Sequence, residues 1–364
     1  MINKPSRRSF IEEAALIAAG MVLPQQSCKR KEDPYGPPKN WPQTPKKVTP
    51  KIKSDKHSGV NLTSWYYTDY SQDGIFDTLK ELNKIGVNSI ALPQTWYQEN
   101  EHSTIIEPMP LKTPSFGGRH RRLENLIESL KILDMRTVLK PHVDLKNGGY
   151  RTDIRMKTES DWKKWFDSYR EFIKIYATIA KQTGVDIFII GTELKGTTHR
   201  LEWNKVIEDV RAINPGRIGY AANWDEYRGV PFWDELDVIG IDAYFPLTTK
   251  NNPSQEELDT KWKQIAQKIG DFSEKKNKKV IITEFGYQSL DGTNIKPSRA
   301  PTKTVDELEQ AQCYSAILKA LFNKPFIEGM YIWDIHWNMA DLDKFSFLGK
   351  PAEKIVRETY QRKN

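Results

Sequence analysis

Three features of the sequence predict a single α/β domain, a (β/α)8 TIM barrel. Eight short apolar runs, typical of buried strands, recur between residues 57 and 364. Segments with apolar residues at three- and four-residue spacing, typical of helices, follow these runs. No glycine-rich phosphate loop follows the first run, which disfavours the runner-up, a doubly wound open sheet. The chain has 364 residues, enough for one such barrel of about 250 residues.

The predicted strands are rich in Val, Ile and Leu and are bounded by polar or turn-forming residues. They cover residues 59–64, 87–92, 136–143, 185–190, 217–222, 238–244, 280–283 and 327–333. The fourth run leads through IIGTE to Glu193, and the seventh leads through ITE to Glu284. Desolvating an unpaired carboxylate is costly, so each glutamate needs a helix N-terminus, an arginine partner or a chemical role.

The predicted helices alternate with these strands. They cover residues 75–85, 123–133, 162–180, 201–213, 256–272, 304–322 and 351–362, with a short helical turn at 231–235. The pattern is clearest in 162–180, where aromatic and aliphatic residues recur at helical spacing. The sequence TVDE from Thr304 to Glu307 fits a capping box and predicts that the sixth helix begins there.

The N-terminal segment differs in composition from the rest of the chain. Residues 1–28 are predicted to be an export signal, because SRRSF resembles a twin-arginine pattern and precedes a short apolar run. A disordered or helical tail is the alternative. Cys28 is a candidate lipoprotein acylation site, which would attach the protein to a membrane. Residues 29–56 contain six prolines and scattered lysines, which predicts a disordered linker. We therefore expect an exported protein in the periplasm or at the cell surface.

The net charge of +7 does not indicate a nucleic-acid partner. Residues 1–56 contain 12 Lys and Arg against 5 Asp and Glu, so residues 57–364 carry equal numbers of each sign. A neutral domain lacks the basic surface that nucleic-acid binding requires. The second cysteine, Cys313, lies in a predicted helix and is expected to be a small buried residue.

In a parallel barrel the active site lies at the carboxyl ends of the strands. The residue types predicted at those ends are carboxylates, aromatic rings and a few amides and bases. The candidate catalytic residues are Glu193 and Glu284, and the candidate substrate-binding residues are Trp65, Trp96, Lys140, His142, Asn223, Trp224, Tyr244 and Trp333. Two carboxyl groups on one face suit cleavage of a glycosidic bond. The ends carry no Cys/His cluster at zinc spacing, and neither a metal nor a cofactor is expected.

Several of these residues also fit structural roles. Trp65, Trp96 and Trp224 could close the mouth of the barrel, and His142 could be a hydrogen-bonded core histidine. Lys140 shares a strand face with His142 at the two-residue period of a strand, which favours a role in the site.

The motifs LKPHVD, IIGTEL, YAANWDE, FWDELDVIGIDAYFPL, ITEFGYQS and GMYIWDIHW resemble glycoside hydrolase family 113. Members of this family are mainly β-mannanases within a clan of retaining (β/α)8 glycosidases. The resemblance implies that Glu193 is the general acid/base and Glu284 the nucleophile. It also implies that Tyr244 hydrogen-bonds the nucleophile and that Trp333 forms the floor of the subsite for the attacked sugar.

One position departs from the wider clan. The residue before the acid/base is usually an asparagine that contacts the sugar 2-hydroxyl, whereas this chain has Thr192. A hydroxyl cannot offer the donor and acceptor pair of an amide. Asn223, on the neighbouring strand, is a candidate to replace it.

The resemblance predicts an enzyme that acts as a monomer on β-1,4-linked mannan or a related β-glycan polysaccharide. Alternatives are an exo-acting β-mannosidase, a hydrolase of another β-glycan, and a catalytically silent barrel that only binds glycan. The loop at residues 99–118 is the segment most able to block one end of a cleft and so to separate endo from exo action.

Overall fold

A computed structural model describes residues 56–64, 74–108, 116–336 and 344–361, apart from the side chains of residues 116–119. Within these residues, eight parallel strands close into a barrel in sequence order. The predicted fold class is therefore confirmed. The predicted export signal with Cys28, the linker up to residue 55, and Trp65 lie outside the described residues.

Strands β1 to β8 are close to their predicted positions, and several are longer than predicted. In order they are His57–Thr63, Ser89–Gln98, Arg136–Leu145, Ile187–Thr192, Ile218–Asn223, Val238–Asp242, Val280–Phe285 and Ile327–His336. The barrel closes where β1 pairs with β8, with Gly59 opposite Tyr331.

Helices α1 to α7, numbered within the described residues, pack around the barrel. In order they are Ile75–Ile85, Phe116–Ile132, Glu159–Thr183, Glu202–Ile213, Gln255–Lys276, Glu307–Leu321 and Pro351–Tyr360. Two 3-10 helices, Arg151–Asp153 and Trp233–Glu235, lie in the β3–α3 and β5–β6 connections. None of the described helices is long and apolar enough to cross a membrane.

Strand β2 extends six residues beyond the predicted end at residue 92. The prediction stopped before Pro93, because a proline cannot donate to a strand ladder. Within the described residues, β2 pairs with β1 only as far as Ala91, whereas its pairing with β3 continues to Gln98 opposite Leu145. Pro93 is therefore tolerated, because it lies where β2 has lost one of its two registered neighbours.

Helix α6 begins three residues later than predicted. Thr304 does not cap it, because the segment before the helix is extended and Val305 forms an antiparallel bridge with Leu290. Asp306 is the N-cap, and its Oδ1 accepts from the Glu309 backbone N–H at 2.8 Å. The predicted helix was correct, but the residue chosen as its cap was wrong.

The apolar core has two layers. Small and branched side chains fill the inside of the barrel, and a larger cluster fills the space between the strands and the helices. Ala91, Val138 and Ile281 belong to the inner layer, so alternate residues of their strands face inward. Cys313 is fully buried in the outer layer, as predicted.

Candidate active site

A pocket of about 370 Å³ opens at the carboxyl ends of the strands. Its walls combine carboxylates, aromatic rings and one guanidinium. They are formed by Asp144, Gly149, Tyr150, Arg151, Thr152, Glu193, Asn223, Trp224, Tyr244, Glu284, Ser298, Trp333 and Phe345. The two candidate catalytic glutamates thus lie in one pocket, at the face where parallel barrels carry their active sites.

Glu284 is held from two sides near the end of β7. The Tyr244 hydroxyl donates to its Oε2 at 2.8 Å, and Lys140 Nζ donates to its Oε1. Burial, followed by the charge of Glu284, raises the pKa of Tyr244 well above its usual range, so this hydroxyl remains a donor. Two donors fix the orientation of the carboxylate toward the pocket, as a nucleophile requires.

Lys140 lies beneath Glu284 and is fully buried. Its Nζ also lies 3.3 Å from Asp242 Oδ1, and the Thr283 hydroxyl donates to that same oxygen at 2.6 Å. Burial, and then the charge of Glu284, raises the pKa of Asp242. Lys140 therefore supplies a positive charge between two buried carboxyl groups.

Glu193 follows β4 at a sharp turn in the chain. Its φ of 53° lies in the left-handed region, which non-glycine residues adopt only when their surroundings hold them there. Its backbone N–H donates to Ala221 O on β5 at 2.8 Å. This turn carries the side chain to the pocket wall.

Burial raises the pKa of Glu193 well above its usual range, and the charges of Asp242 and Glu284 raise it further, against Arg151 and Lys140. Glu193 therefore keeps its proton where an exposed glutamate would have lost it. The two glutamates occupy different environments: Glu284 is bonded to a buried cation, and the pKa of Glu193 is raised. Opposite environments of this kind separate an acid from a nucleophile.

Arg151, which the sequence analysis missed, enters the pocket from the 3-10 helix after β3. Its Nε donates to Asp144 Oδ1 at 3.1 Å, and one Nη lies 2.9 Å from His142 Nδ1. Burial, and then the charges of Arg151 and Lys140, lower the pKa of His142 well below its usual range. His142 is therefore neutral and accepts from Arg151 at Nδ1. The signal for Arg151 was weak, because it belongs to a loop and not to a strand end.

Trp333 forms one wall of the pocket near the end of β8. Its ring stacks on His142, with centroids 6.1 Å apart and planes 12° from parallel, and Lys140 Nζ lies 6.0 Å from its centroid. The ring is thus held from behind by groups that do not line the pocket. This leaves a flat aromatic surface available to a sugar ring.

The other predicted binding residues divide into two groups. Asn223 and Trp224 line the pocket, like Tyr244 and Trp333. Lys140 and His142 are buried at 0% and 2% exposure beneath it, so they act on Glu284 and Arg151 instead of touching a sugar directly.

Trp96 lies outside the pocket, which corrects the expectation that it contacts substrate. Its indole N–H donates to the Tyr176 hydroxyl at 3.1 Å, and its ring lies 5.2 Å from that of Phe172 on α3. Leu92, four residues (two strand periods) before Trp96, faces the same outer layer. Because β2 continues as a strand to Gln98, Trp96 points outward from the barrel, on the same face of the strand as Leu92.

Thr192 does not line the pocket. It is buried, and its hydroxyl points to Pro141 O at 3.4 Å. Asn223 occupies the adjacent wall, and its Oδ1 accepts from the Trp224 backbone N–H at 2.7 Å. Asn223 lines the pocket, as expected of a residue that replaces the asparagine of the wider clan.

In the described part of the chain, one acidic cluster has a spacing that a cation could use. Oxygens of Asp291, Asp306 and Glu309 lie within 4.8 Å of one another, and none of these residues lines the pocket. Glu309 already accepts from the backbone N–H groups of Gly292 and Asn294 at 2.8 and 2.9 Å. These contacts assign it a structural role in the loop before α6.

The fold and the site together define a glycosidase-type barrel, with two carboxyl groups of opposed environment at the carboxyl ends of β4 and β7. Residues 64–346 match the profile of Glycoside Hydrolase Family 113, and the chain belongs to this family. It is therefore a glycoside hydrolase, and a carbohydrate is its substrate. A comparison with curated protein sequences finds no match.

Solved structures with the same fold include several described as mannan-degrading enzymes. A GH113 β-1,4-mannanase has a TM-score of 0.75 at 23% identity, over 85% of this chain and 99% of that chain. The GH113 β-mannanase of Alicyclobacillus acidocaldarius has a TM-score of 0.74 at 24% identity, over 84% and 97%. A family 5 mannosidase from Rhizomucor miehei has a TM-score of 0.56 at 10% identity, over 84% and 92%. At these identities the likeness shows the fold alone.

Proposed function

We propose that this glycoside hydrolase cleaves β-1,4-linked mannan with retention of configuration, using Glu193 as acid/base and Glu284 as nucleophile. The observation that carries the proposal is the contrast between the two carboxyl groups. Glu284 accepts from Lys140 and Tyr244, whereas burial and neighbouring charge raise the pKa of Glu193. The mannan substrate is supported by the β-1,4-mannanases that share this fold and family.

The proposed reaction has two steps. Glu284 attacks the anomeric carbon while Glu193 donates its proton to the leaving oxygen, which gives a covalent glycosyl-enzyme. Forming that bond removes the negative charge of Glu284, one of the charges that raise the pKa of Glu193. Glu193 is then a better base, and it deprotonates the water that releases the sugar. Retaining enzymes need the two carboxyl groups about 5–5.5 Å apart, so that the nucleophile reaches the sugar directly.

The neighbouring groups have matching roles. In this proposal Asn223 hydrogen-bonds the sugar 2-hydroxyl and Trp333 stacks beneath the attacked ring, which is supported by their place in the pocket lining. Arg151, whose charge is neutralised in part by Asp144, bonds to Asp144 and His142 and so fixes their side chains beside the pocket.

We also propose that the protein is exported and carries lipid on Cys28, in the periplasm or at the cell surface. The arginine pair, the short apolar run and the cysteine at the end of residues 1–28 support this location. Mannan is a polymer too large to enter a cell intact, so an enzyme that starts its breakdown works outside the cytoplasm.

Replacing each glutamate with alanine tests the mechanism. Glu193→Ala should lower hydrolysis of mannan about 10²–10⁴-fold, the usual contribution of general acid catalysis. An aryl β-mannobioside with a good leaving group needs no proton, so its first step should survive. The mannobiosyl-enzyme should then accumulate, and added azide should release it as a β-mannobiosyl azide.

Glu284→Ala should fail on substrates of every leaving-group quality, because no nucleophile remains. Azide can enter the vacated space and attack directly, which should give the α-azide. An α-azide from the Glu193 variant would overturn retention, and near-normal rates in both variants would overturn the assignment. Product lengths from mannan-derived oligosaccharides, with cello-oligosaccharides as the matched control, test endo action and the choice of glycan.

A further inference from the structure

A buried carboxylate outside the pocket is joined to the turn that carries Glu193. Glu226 follows β5, is 4% exposed and does not line the pocket. Its Oε1 accepts from the Tyr220 hydroxyl at 2.7 Å, and its Oε2 accepts from the Asn223 backbone N–H at 3.0 Å. Burying a carboxylate is costly, so we expect the contacts of Glu226 to have a function.

Tyr220 connects this carboxylate to the Glu193 turn. Its hydroxyl donates to Glu226 and accepts from the Leu194 backbone N–H at 2.8 Å. The ring is fully buried and packs edge-to-face against Trp203 and Phe232, with centroids 5.6 and 5.5 Å away. A ring held in this way fixes the position of its hydroxyl, and the hydroxyl fixes Leu194.

The turn needs such support. Glu193 has a left-handed φ of 53°, which is unfavourable for a residue with a side chain and persists only where neighbours hold it. Its own N–H bonds to Ala221 O, and the next N–H bonds to Tyr220. Both backbone N–H groups that bracket the Glu193 side chain are thus anchored on β5.

The second oxygen of Glu226 acts on the other side of the site. It holds the N–H of Asn223, whose side chain accepts from Trp224 N, and both residues line the pocket. One carboxylate therefore ties the turn that bears the proton donor to the turn that bears two wall residues. Burial raises the pKa of Glu226 to about 7, and both of its bonds use it as an acceptor.

We propose that Glu226 is a positioning residue that aims the Glu193 carboxyl at the leaving oxygen, acting through the Tyr220 hydroxyl and the Leu194 N–H. The inference rests on the proposed function, because it assumes that Glu193 donates the proton. Misplacing a reacting group by about 1 Å can cost about 10²-fold in rate. Glu226 touches no substrate, and its link through Tyr220 affects only the steps that use Glu193. Tyr220→Phe isolates this link, because it leaves the contact between Glu226 and Asn223 in place.

The test compares substrates that need the proton with substrates that do not. Glu226→Gln keeps the shape of the side chain but loses one of its acceptor oxygens, and Tyr220→Phe removes the bridging hydroxyl. Each should lower kcat/KM on mannan oligosaccharides about 10–100-fold. On a 2,4-dinitrophenyl β-mannobioside, each should change the first step less than about threefold, because that leaving group departs without a proton.

Several controls separate this role from a loss of folding. Rates are normalised to competent sites, counted by burst labelling with a 2,4-dinitrophenyl 2-deoxy-2-fluoro-β-mannobioside, which reports the nucleophile alone. Glu235→Gln, an exposed glutamate in the same β5–β6 connection, should behave as the wild type. The double variant Tyr220→Phe/Glu226→Gln should be no slower than either single variant, because both break one chain of bonds.

The outcomes distinguish this inference from the proposed function. If the rate loss in Glu193→Ala does not depend on the leaving group, Glu193 is not the proton donor and the proposed function is wrong. Suppose instead that Glu193→Ala shows that dependence. If Glu226→Gln and Tyr220→Phe then slow both substrates equally, or slow neither substrate, Glu226 is structural and the inference is overturned. Should Glu226→Gln fail to fold, Tyr220→Phe alone decides, because it breaks the same link.

Discussion

Replacing Lys140 with methionine removes a cation that bonds to both Glu284 and Asp242. Lys140 is fully buried, so no water can replace its charge. Breaking a buried ion pair by removing one partner costs about 3–5 kcal/mol, because the other charge stays buried and unpaired. We expect Lys140→Met to lower the free energy of unfolding by that amount at pH 7.

The loss should depend on pH with a definite sign. In the wild type, burial and the charge of Glu284 already raise the pKa of Asp242, and Lys140 opposes that rise. Without Lys140, the folded pKa of Asp242 lies further above its unfolded value of about 4. Stability then falls as pH rises above about 4, because the unfolded chain releases protons that the folded chain retains. The deficit should therefore be largest at pH 7 and shrink toward pH 4.

The activity of Lys140→Met should also be lower than that of the wild type. In Lys140→Met, Glu284 loses one of the two donors that orient its carboxylate, so kcat/KM at pH 7 should fall. Urea unfolding at pH 4 and pH 7, with the pH profile of kcat/KM, measures both effects.

Two controls complete the experiment. Adding Asp242→Asn to Lys140→Met leaves one buried carboxylate instead of two and should recover much of the stability at pH 7. Lys205→Met removes an exposed lysine paired with Glu208 and should leave unfolding unchanged. Equal losses at both pH values, or full activity in Lys140→Met, would refute the role given to this cation.

Three further predictions follow from the site and the leader. Trp333→Ala should lower kcat far more than stability; a loss of about 3–5 kcal/mol in unfolding with unchanged activity per folded molecule would mark a structural tryptophan. Mannan hydrolysis should fall as pH rises through the pKa of Glu193, and Glu193→Gln should lose this basic limb on an activated aryl substrate, as initial rates across pH will show. The mature protein should lack residues 1–27 and carry lipid on Cys28, and mass spectrometry of the membrane fraction checks this; a full-length cytoplasmic chain would contradict it.

The barrel could be predicted because its signal is repeated eight times. Each apolar run followed by a helical period is weak alone, but the order of strands and helices leaves few folds. The ends of elements were less accurate, because pairing decides them. β2 reaches Gln98 since β3 lies beside it throughout, and α6 starts at Glu307 since Val305 is held in a bridge.

The site could be predicted as far as strand ends define it. Asn223, Trp224, Tyr244 and Trp333 line the pocket with the two glutamates. Tyr150 and Arg151 were not predicted, because they belong to the β3–α3 connection, whose course depends on tertiary contacts. The error at Trp96 was avoidable: extending the inner face of β2 by two-residue steps from Ala91 leads to odd positions, which leaves Trp96 outside.

The same rule applied to β7 leads to the wrong face for Glu284, and the reason explains how this site is built. Ile281 faces inward while Ile282 and Phe285 face outward, so two residues, Thr283 and Glu284, lie between outward neighbours. Thr283 bonds to Asp242 and Glu284 bonds to Lys140, both inside the barrel. The register of β7 against β8 shifts between Ile282 and Phe285, at these two residues. A bulge turns a side chain that alternation would send outward, and such irregularities are frequent beside active sites.

Glu193 reaches the pocket through a different irregularity, a left-handed turn after β4. Both proposed catalytic carboxyl groups are thus placed by local departures from strand geometry, each held by contacts from a neighbouring strand. Periodicity cannot foresee either departure, because it describes the regular part of a strand. Residue type and motif located these glutamates in the sequence, and the contacts around them account for why both side chains line one pocket.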